Sequence, residues 1–274
     1  MKATFKKWLF YFCITRNTQP IGIFDSGIGG TSIFKEIHAL LPNEHIIYLA
    51  DSKYAPYGNK SKKKIIELSI KNTELLLSKQ CKLIVVACNT ATTNAIKTLR
   101  ANYNVPFIGI EPAIKPAALN TKTKAVGILA TKGTLSSELF HKTTDLYSNG
   151  IKVIEQVGEG IVPLIESGKT NSNEMKALLK LYMDPMLKAN IDYLVLGCTH
   201  YPYLIPLLSE MLPKHIKIID SGLAVAKQTK AILDKNKLVN TVKNTPKIEF
   251  FTNGSTEILN AILDHNFNSL SLDF

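Results

Sequence analysis

The chain has 274 residues, 45% hydrophobic and 20% charged, which suits one large globular domain or two of ordinary size. Its apolar runs are shorter than the roughly 18–20 residues of a membrane-spanning helix, so we expect no association with a membrane. The net charge of +11 comes from scattered lysines, since Arg16 and Arg100 are the only arginines. This pattern indicates a solvated, positively charged surface, which favours anionic substrates. A nucleic-acid partner is the alternative interpretation.

The first nineteen residues differ from the rest of the chain. Three lysines precede the apolar run 8–14, which imitates a secretory signal peptide. The run is short, Arg16 with a polar neighbour on each side follows it, and no small-x-small cleavage site appears. We therefore interpret residues 1–19 as an N-terminal extension, with export as the alternative.

From Pro20 onward, short apolar runs alternate with longer stretches of helical periodicity. The predicted strands are 21–24, 45–50, 83–87, 107–110, 125–129, 152–156, 193–196, 216–219 and 247–252. The predicted helices include 31–40, 62–79, 91–101, 135–146, 172–189, 203–211 and 221–235. Because continuous apolar runs are typical of strands buried on both faces of parallel sheets, the alternation predicts an α/β fold.

The chain also repeats itself. Residues 21–26 resemble 126–131, and residues 83–90 resemble 194–200. Gly22 precedes Cys88 by 66 residues, and Gly127 precedes Cys198 by 71. We therefore predict two similar α/β domains, the first formed by 20–111 with 221–274 and the second by 112–220. The chain would cross between them near 111–113 and 219–222.

Cys88 and Cys198 occupy equivalent positions in the two halves, just past a strand and just before a helix. Parallel sheets bind ligands at this edge, and the free N–H groups of a following helix lower the pKa of a thiol. The polar pairs 89–90 and 199–200 could hold a carboxylate there. Either cysteine alone could be a small buried hydrophobe. Facing each other across a cleft, the two would suit racemisation, in which one group removes an α-proton and the other protonates the opposite face.

Two further groups could assist these thiols. Asp25 opens the glycine-rich turn 25–30, which lacks dinucleotide-binding spacing but would suit a substrate ammonium group or accept a proton from a thiol. His200, two residues after Cys198, is a candidate for tuning that thiol, with a helix cap or a buried core histidine as the alternative.

Other uses of the cysteines fit the sequence less well. Cys13 and Cys81 lack a comparable context, and we interpret Cys81 as structural. No C-x-x-C pair occurs, which favours free thiols in a reducing cytoplasm over disulfides or a zinc ribbon. A cysteine phosphatase would need an arginine where Asn94 stands.

Six motifs carry a resemblance to a known family. They are residues 22–30 (GIFDSGIGG), 51–58 (DSKYAPYG), 87–91 (ACNTA), 109–113 (GIEPA), 130–134 (ATKGT) and 197–202 (GCTHYP). On these motifs the chain, from about 20 to about 259, resembles the glutamate racemases of the aspartate/glutamate racemase family, which supply D-glutamate for bacterial peptidoglycan.

The resemblance implies two flavodoxin-like domains with the active site between them and no cofactor. It assigns Cys88 as the base toward D-glutamate and Cys198 as the base toward L-glutamate, assisted by Asp25 and His200 respectively. It implies substrate contacts at Asp25, Ser26, Tyr57, Gly58, Asn89, Thr90, Thr131, Thr199 and His200. It also matches Glu166 to a further acidic catalytic position, although Gly158-Glu159 stands where the family usually has Cys-Pro.

Two alternatives stay open from sequence alone. The substrate could be aspartate or a related small acid, because paired cysteines would serve either. The positive charge leaves room for a second role with DNA or a topoisomerase. We expect a cytoplasmic homodimer whose domains close on glutamate and exclude water.

Overall fold

The computed structural model describes residues 17–242 and 245–274. Cys13 and most of the predicted extension over 1–19 lie outside these residues. Among the residues described, no helix is both long and apolar enough to cross a membrane.

Strands and helices alternate along the chain. The strands are β1 (Ile21–Asp25), β2 (Ile46–Ala50), β3 (Leu83–Val86), β4 (Phe107–Gly109), β5 (Ala125–Ala130), β6 (Lys152–Val157), β7 (Tyr193–Gly197), β8 (Lys217–Ile219), β9 (Ile248–Thr252) and β10 (Ser269–Ser271). The helices are α1 (Thr31–Leu40), α2 (Lys62–Ser78), α3 (Asn89–Asn102), α4 (Ile114–Asn120), α5 (Lys132–Leu135), α6 (Glu138–Tyr147), α7 (Ile161–Glu166), α8 (Asn173–Lys188), α9 (Ile205–Met211), α10 (Gly222–Lys235) and α11 (Thr256–Ile262).

The strands form two parallel sheets, which confirms the predicted α/β class. The larger sheet has the order β10-β9-β2-β1-β3-β4, and the smaller has the order β6-β5-β7-β8. We call the larger sheet with α1–α3, α10 and α11 the first lobe, and the smaller sheet with α4–α9 the second lobe. In both, the first strand of the lobe pairs with the next two strands in sequence, so the internal repeat of the sequence is a repeat of topology.

The first lobe shows why its strands are apolar along their whole length. Ile23 packs with α1 and α10 on one face of the sheet, while Phe24 packs with α2 and α3 on the other. Successive side chains of a strand point to opposite faces, so a sheet covered on both sides needs an unbroken apolar run.

A glycine in the central strand of each lobe lets a neighbouring helix approach. A Cβ on Gly22 would lie 2.9 Å from Cys81 Sγ and 3.0 Å from Leu76, and one on Gly127 would lie 2.6 Å from Met186 Sδ. Cys81 is thus a packing residue at the start of β3, and burial raises its pKa to about 12.

The predicted helix 135–146 is two helices in the structure. It divides into α5 and α6 because Ser137 caps α6, its side chain accepting a hydrogen bond from Phe140 N at 3.3 Å. Helix α3 begins at Asn89 rather than at 91, since Cys88 is its N-cap residue. Helices α4, α7 and α11 and the short strand β10 were not among the predicted elements.

The chain passes between the lobes after β4 and again after β8. Ser221 Oγ donates a hydrogen bond to the Glu111 carbonyl, which ties the two crossing segments together. After the second crossing, α10 packs against α1, and β9 pairs with β2 in the first lobe.

A buried ion pair lies at the edge of the larger sheet opposite the strand ends that carry the cysteines. Lys82 Nζ is 2.5 Å from Glu44 Oε2, and the two side chains are almost fully buried. Glu44 Oε1 also accepts from Asn240 N at 2.8 Å, so the pair connects the returning chain to the start of β3. Burial lowers the pKa of Lys82, and the charge of Glu44 opposes that shift.

We expect Lys82→Met to lower the free energy of unfolding by about 3–5 kcal/mol, because it leaves the Glu44 charge buried without its partner. Replacing both residues, Lys82→Met with Glu44→Leu, should recover much of that loss. Urea unfolding of both variants measures the difference. A double variant no more stable than the single one would contradict this account.

Candidate active site

The two cysteines predicted to act together line one cavity between the lobes. Its volume is about 10 Å³, roughly the space that one water molecule needs. Its lining contains Ser26, Pro56, Tyr57, Gly58, Cys88, Asn89, Thr90, Thr131, Val162, Cys198, Thr199 and His200. The structure therefore brings together the cysteines and most of the substrate-binding residues predicted from the sequence, and it holds them in a closed cleft.

Cys88 caps the N-terminus of α3. Its Sγ lies 3.4 Å from Ala91 N, which donates to it, and 3.5 Å from Ser26 Oγ. Burial raises the pKa of the Cys88 thiol well above its ordinary value, and the nearby charge of Asp25 raises it further. The hydrogen bonds that Cys88 forms with Ala91 and Ser26 act in the opposite direction without overcoming burial, so the thiol form of Cys88 is favoured.

Asp25 ends β1 and is fully buried. Its Oδ2 accepts from Gly30 N at 2.7 Å, and both carboxylate oxygens lie 3.4 Å from Thr199 Oγ1 of the second lobe. Burial raises the pKa of Asp25 from 3.8 to about 6, although the charge of His200 and the Gly30 N–H lower it. This carboxyl group therefore titrates near neutral pH.

His200 lies between Cys198 and a carboxylate. Its Nδ1 is 3.7 Å from Cys198 Sγ, and its Nε2 is 2.5 Å from Glu166 Oε1. Burial by itself would lower the pKa of His200, but its hydrogen bonds to Cys198 and Glu166 raise it well above the ordinary value. The imidazolium form of His200 is therefore favoured at neutral pH.

Glu166 lies behind His200 and is absent from the lining of the cavity. It is the last residue of α7, in the second lobe, yet two groups of the first lobe bind its carboxylate. Ile28 N donates to Oε1 at 2.7 Å, and Ser52 Oγ donates to Oε2 at 2.9 Å. The residue predicted as catalytic thus contacts the cavity through His200.

The glycines of the turn 25–30 permit these contacts. A Cβ on Gly27 would lie 1.9 Å from Glu166 Oε1, and one on Gly29 would lie 2.2 Å from His200 Nδ1. The backbone of the first lobe therefore approaches charged side chains of the second lobe more closely than any other residue type would allow.

The other polar side chains of the lining either form hydrogen bonds between the lobes or, at Asn89, have no hydrogen-bond partner among the described residues. Thr90 Oγ1 of the first lobe lies 2.8 Å from Thr131 Oγ1 of the second, and Thr134 Oγ1 lies 3.0 Å from Thr131 Oγ1. Asn89 is buried, and neither its amide nitrogen nor its amide oxygen has a hydrogen-bond partner in the described part of the chain. An orphaned amide beside the cysteines is suited to binding a polar ligand.

The sequence motifs contained supporting residues whose roles the motifs alone did not reveal. Asp51 is fully buried and accepts a hydrogen bond from Tyr57 Oη. Lys71 Nζ is 3.2 Å from its Oδ1, and Asn72 Nδ2 is 3.1 Å from Tyr57 Oη. Ser52, which donates a hydrogen bond to Glu166, is a further supporting residue of this motif. Only the position of 51–58 after a strand could have pointed to them, since Lys71, Asn72 and Glu166, which bind them, lie outside that motif.

No group of three or more His, Cys, Asp or Glu side chains is arranged to hold a metal ion among residues 17–242 and 245–274.

Comparison with known proteins identifies relatives that cover most of the chain. A family model described as Asp/Glu/hydantoin racemase matches residues 21–229. The glutamate racemase of Herpetosiphon aurantiacus is 44% identical over 236 residues, covering 86% of this chain and 93% of that protein.

Solved structures agree with that match. Glutamate racemase isoform RacE1 from Bacillus anthracis is 30% identical with a TM-score of 0.84, covering 93% of this chain and 97% of that one. Escherichia coli glutamate racemase in complex with L-glutamate and the activator UDP-MurNAc-Ala is 33% identical with a TM-score of 0.83, covering 92% and 97%.

We expect Glu166→Gln to lower the pKa of His200, because it removes the charge that stabilises the imidazolium. NMR titration of isotope-labelled histidine measures this, with the resonance assigned by its loss in His200→Gln. Because the pKa of His200 is higher in the folded protein than its unfolded value of 6.5, protonation of His200 stabilises the fold. This stabilisation is complete below pH 6.5 and disappears as the pH rises through the folded-state pKa. The variant should therefore lose most stability at acidic to neutral pH. An unchanged His200 pKa would refute this role.

We expect Asp25→Asn to raise the free energy of unfolding at pH 8 by up to about 3 kcal/mol, because a pKa raised from 3.8 to about 6 makes ionised Asp25 unfavourable in the fold. The gain should shrink as the pH falls from 6 and vanish below 3.8, where both folded and unfolded states carry a neutral carboxyl. Urea unfolding at several pH values tests this. A variant less stable than the parent at pH 8 would show that the hydrogen bonds of Asp25 outweigh its desolvation.

Proposed function

We propose that this chain, which belongs to the Asp/Glu/hydantoin racemase family and is an isomerase, interconverts L- and D-glutamate without a cofactor. The choice of glutamate draws on relatives that are glutamate racemases at 41–48% identity. The observation that carries the mechanism is that Cys88 and Cys198, one from each lobe, line a single closed cavity.

In the proposed reaction the two sulfurs exchange roles. From L-glutamate, the Cys198 thiolate takes the α-proton, and the electron pair of the broken C–H bond delocalises into the α-carboxylate. The Cys88 thiol then protonates the α-carbon on the opposite face, which yields D-glutamate. Cys198 ends as a thiol and Cys88 as a thiolate, so the reverse reaction starts from the protonation state that the forward reaction leaves.

The charges around the two sulfurs support this starting state. The pKa of Cys88 is raised by burial and Asp25, which keeps its proton available for delivery. The imidazolium favoured at His200 has its Nδ1 3.7 Å from the Cys198 sulfur, where it would balance the charge of the proposed thiolate. The cavity excludes bulk water, and electrostatic interactions with fixed charges are stronger there than in solvent.

The remaining lining residues supply the groups that the substrate needs. We propose that the unpaired amide of Asn89, with Thr90 and Thr199, binds the carboxylates. Ser26 would then bind the ammonium group with Asp25, which lies behind the lining and contacts Thr199, and Tyr57 and Gly58 would complete the wall.

Substrate entry requires the lobes to separate, because the present cavity is far smaller than glutamate. We propose motion between a domain of 20–111 with 221–274 and a domain of 112–220, hinged where Ser221 meets Glu111. A cavity of about 870 Å³ lies directly outside and shares Pro56, Gly58, Thr131 and Val162 with the closed one. Its wall carries Lys60, Lys62, Lys97 and Lys132, which suit the approach of an anionic substrate.

The cellular role is a further part of the proposal. On its family resemblance, the chain would act as a homodimer in the cytoplasm and supply D-glutamate for peptidoglycan.

Racemisation in heavy water tests the function directly. The purified protein, with no added cofactor, should convert L-glutamate to D-glutamate carrying α-deuterium. Cys88→Ala and Cys198→Ala should each reduce racemisation by several orders of magnitude, because each removes one of the two required acid–base groups. Cys81→Ala is the matched control and should remain active, since Cys81 lies at the far end of β3.

Each outcome has a distinct meaning. Near-normal turnover in either active-site variant would refute the two-cysteine mechanism. Faster turnover of L-aspartate than of L-glutamate would reassign the substrate, and no racemisation of either amino acid would refute the proposed function.

A further inference from the structure

We infer that Ser52 is a positioning residue that holds Glu166 against His200, and that it does so only when the lobes are closed. Its kinetic consequences rest on the proposed racemase function, whereas its effect on His200 can be measured without any activity.

Ser52 reaches the second lobe from the first. It begins a short 3-10 turn, Ser52–Tyr54, that follows β2. Its Oγ donates to Glu166 Oε2 at 2.9 Å, while Ile28 N, from the turn after β1, donates to Oε1 at 2.7 Å. Each oxygen of this second-lobe carboxylate is therefore bound by a donor that belongs to the first lobe.

The same carboxylate orients the histidine. Glu166 Oε1 lies 2.5 Å from His200 Nε2, and the other ring nitrogen lies 3.7 Å from Cys198 Sγ. The Glu166 side chain is only 15% exposed, so little water can replace a lost donor. A continuous set of contacts thus runs from Ser52 through Glu166 and His200 to the Cys198 sulfur.

These contacts depend on closure because their members lie on different lobes. Separation of the lobes withdraws Ser52 Oγ and Ile28 N together, leaving Glu166 to solvent and His200. Gly27 makes the closed contact sterically possible, since a Cβ there would lie 1.9 Å from Glu166 Oε1. Closure therefore both encloses the substrate and completes the surroundings that keep His200 charged.

The first test is Ser52→Ala, compared with Ser78→Ala. Ser78 is exposed, and among the described residues its hydroxyl donates within α2, to Leu75 O at 2.8 Å, so its variant controls for loss of a serine hydroxyl. We expect Ser52→Ala to reduce kcat/KM for glutamate about tenfold or more, because a hydrogen bond to a charged group is lost. The reduction must be equal in both directions, since the two enantiomers have the same free energy. Retained kcat/KM in an active enzyme would overturn the inference.

The second test separates positioning from general damage. NMR titration should show a lower His200 pKa in Ser52→Ala and an unchanged one in Ser78→Ala, with both variants folded by circular dichroism. An unchanged His200 pKa in Ser52→Ala would overturn the inference. If the parent protein failed to racemise glutamate but this shift appeared, the proposed function would fail and the positioning role would stand.

A double-variant cycle gives the third test. If Ser52 acts through the Glu166 carboxylate, Ser52→Ala should cause little further loss of kcat/KM in a Glu166→Gln background. Losses that simply multiply would show that Ser52 acts independently, and would overturn the proposed route.

Discussion

Desolvation of the ionisable groups between the two lobes is the constraint on which the site depends. Cys88 and His200 line a cavity with room for roughly one water, and Asp25 is buried behind it, so burial opposes the charged form of each. At Asp25 and Cys88 burial prevails, and both pKa values rise. At His200 the neighbouring anionic groups prevail over burial, and the pKa also rises. One closed environment thus favours a protonated thiol on one side and a cation beside the other sulfur.

The two lobes repeat a topology without repeating their chemistry. β1 and β5 have equivalent neighbours, and a cysteine follows the strand next to each of them. The first thiol caps a long helix, whereas the second is followed by the short turn Tyr201–Leu204 and takes a histidine as its partner. Strictly equivalent surroundings would give two sulfurs of equal proton affinity. The surroundings differ, because the first sulfur contacts a serine hydroxyl and a backbone N–H, whereas the second has an imidazole ring beside it.

Local patterns were sufficient to predict most of the framework. Strands such as β1 and β7 are continuously apolar because helices cover both faces, and that property is visible in any short window. Helix α7 was missed because Gly158, Gly160 and Pro163 are typical of a loop, although Gly160 serves as its left-handed cap. The short edge strand β10 carries no alternation to detect. The cysteines and their flanking polar residues were recognised because the repeat aligned them, whereas the hydrogen bond between Ser52 and Glu166 joins residues far apart in sequence.

The contact between the lobes also explains why the turn 25–30 is rich in glycine. A turn of this kind commonly binds phosphate through its backbone N–H groups. Here Ile28 N binds the Glu166 carboxylate and Gly30 N binds Asp25, so protein anions already occupy two of those donors. Gly27 and Gly29 are needed because Glu166 and His200 approach the backbone to within the space of a methyl group. The turn is therefore a surface on which the opposite lobe docks, and two of its N–H groups bind protein carboxylates in place of a phosphate.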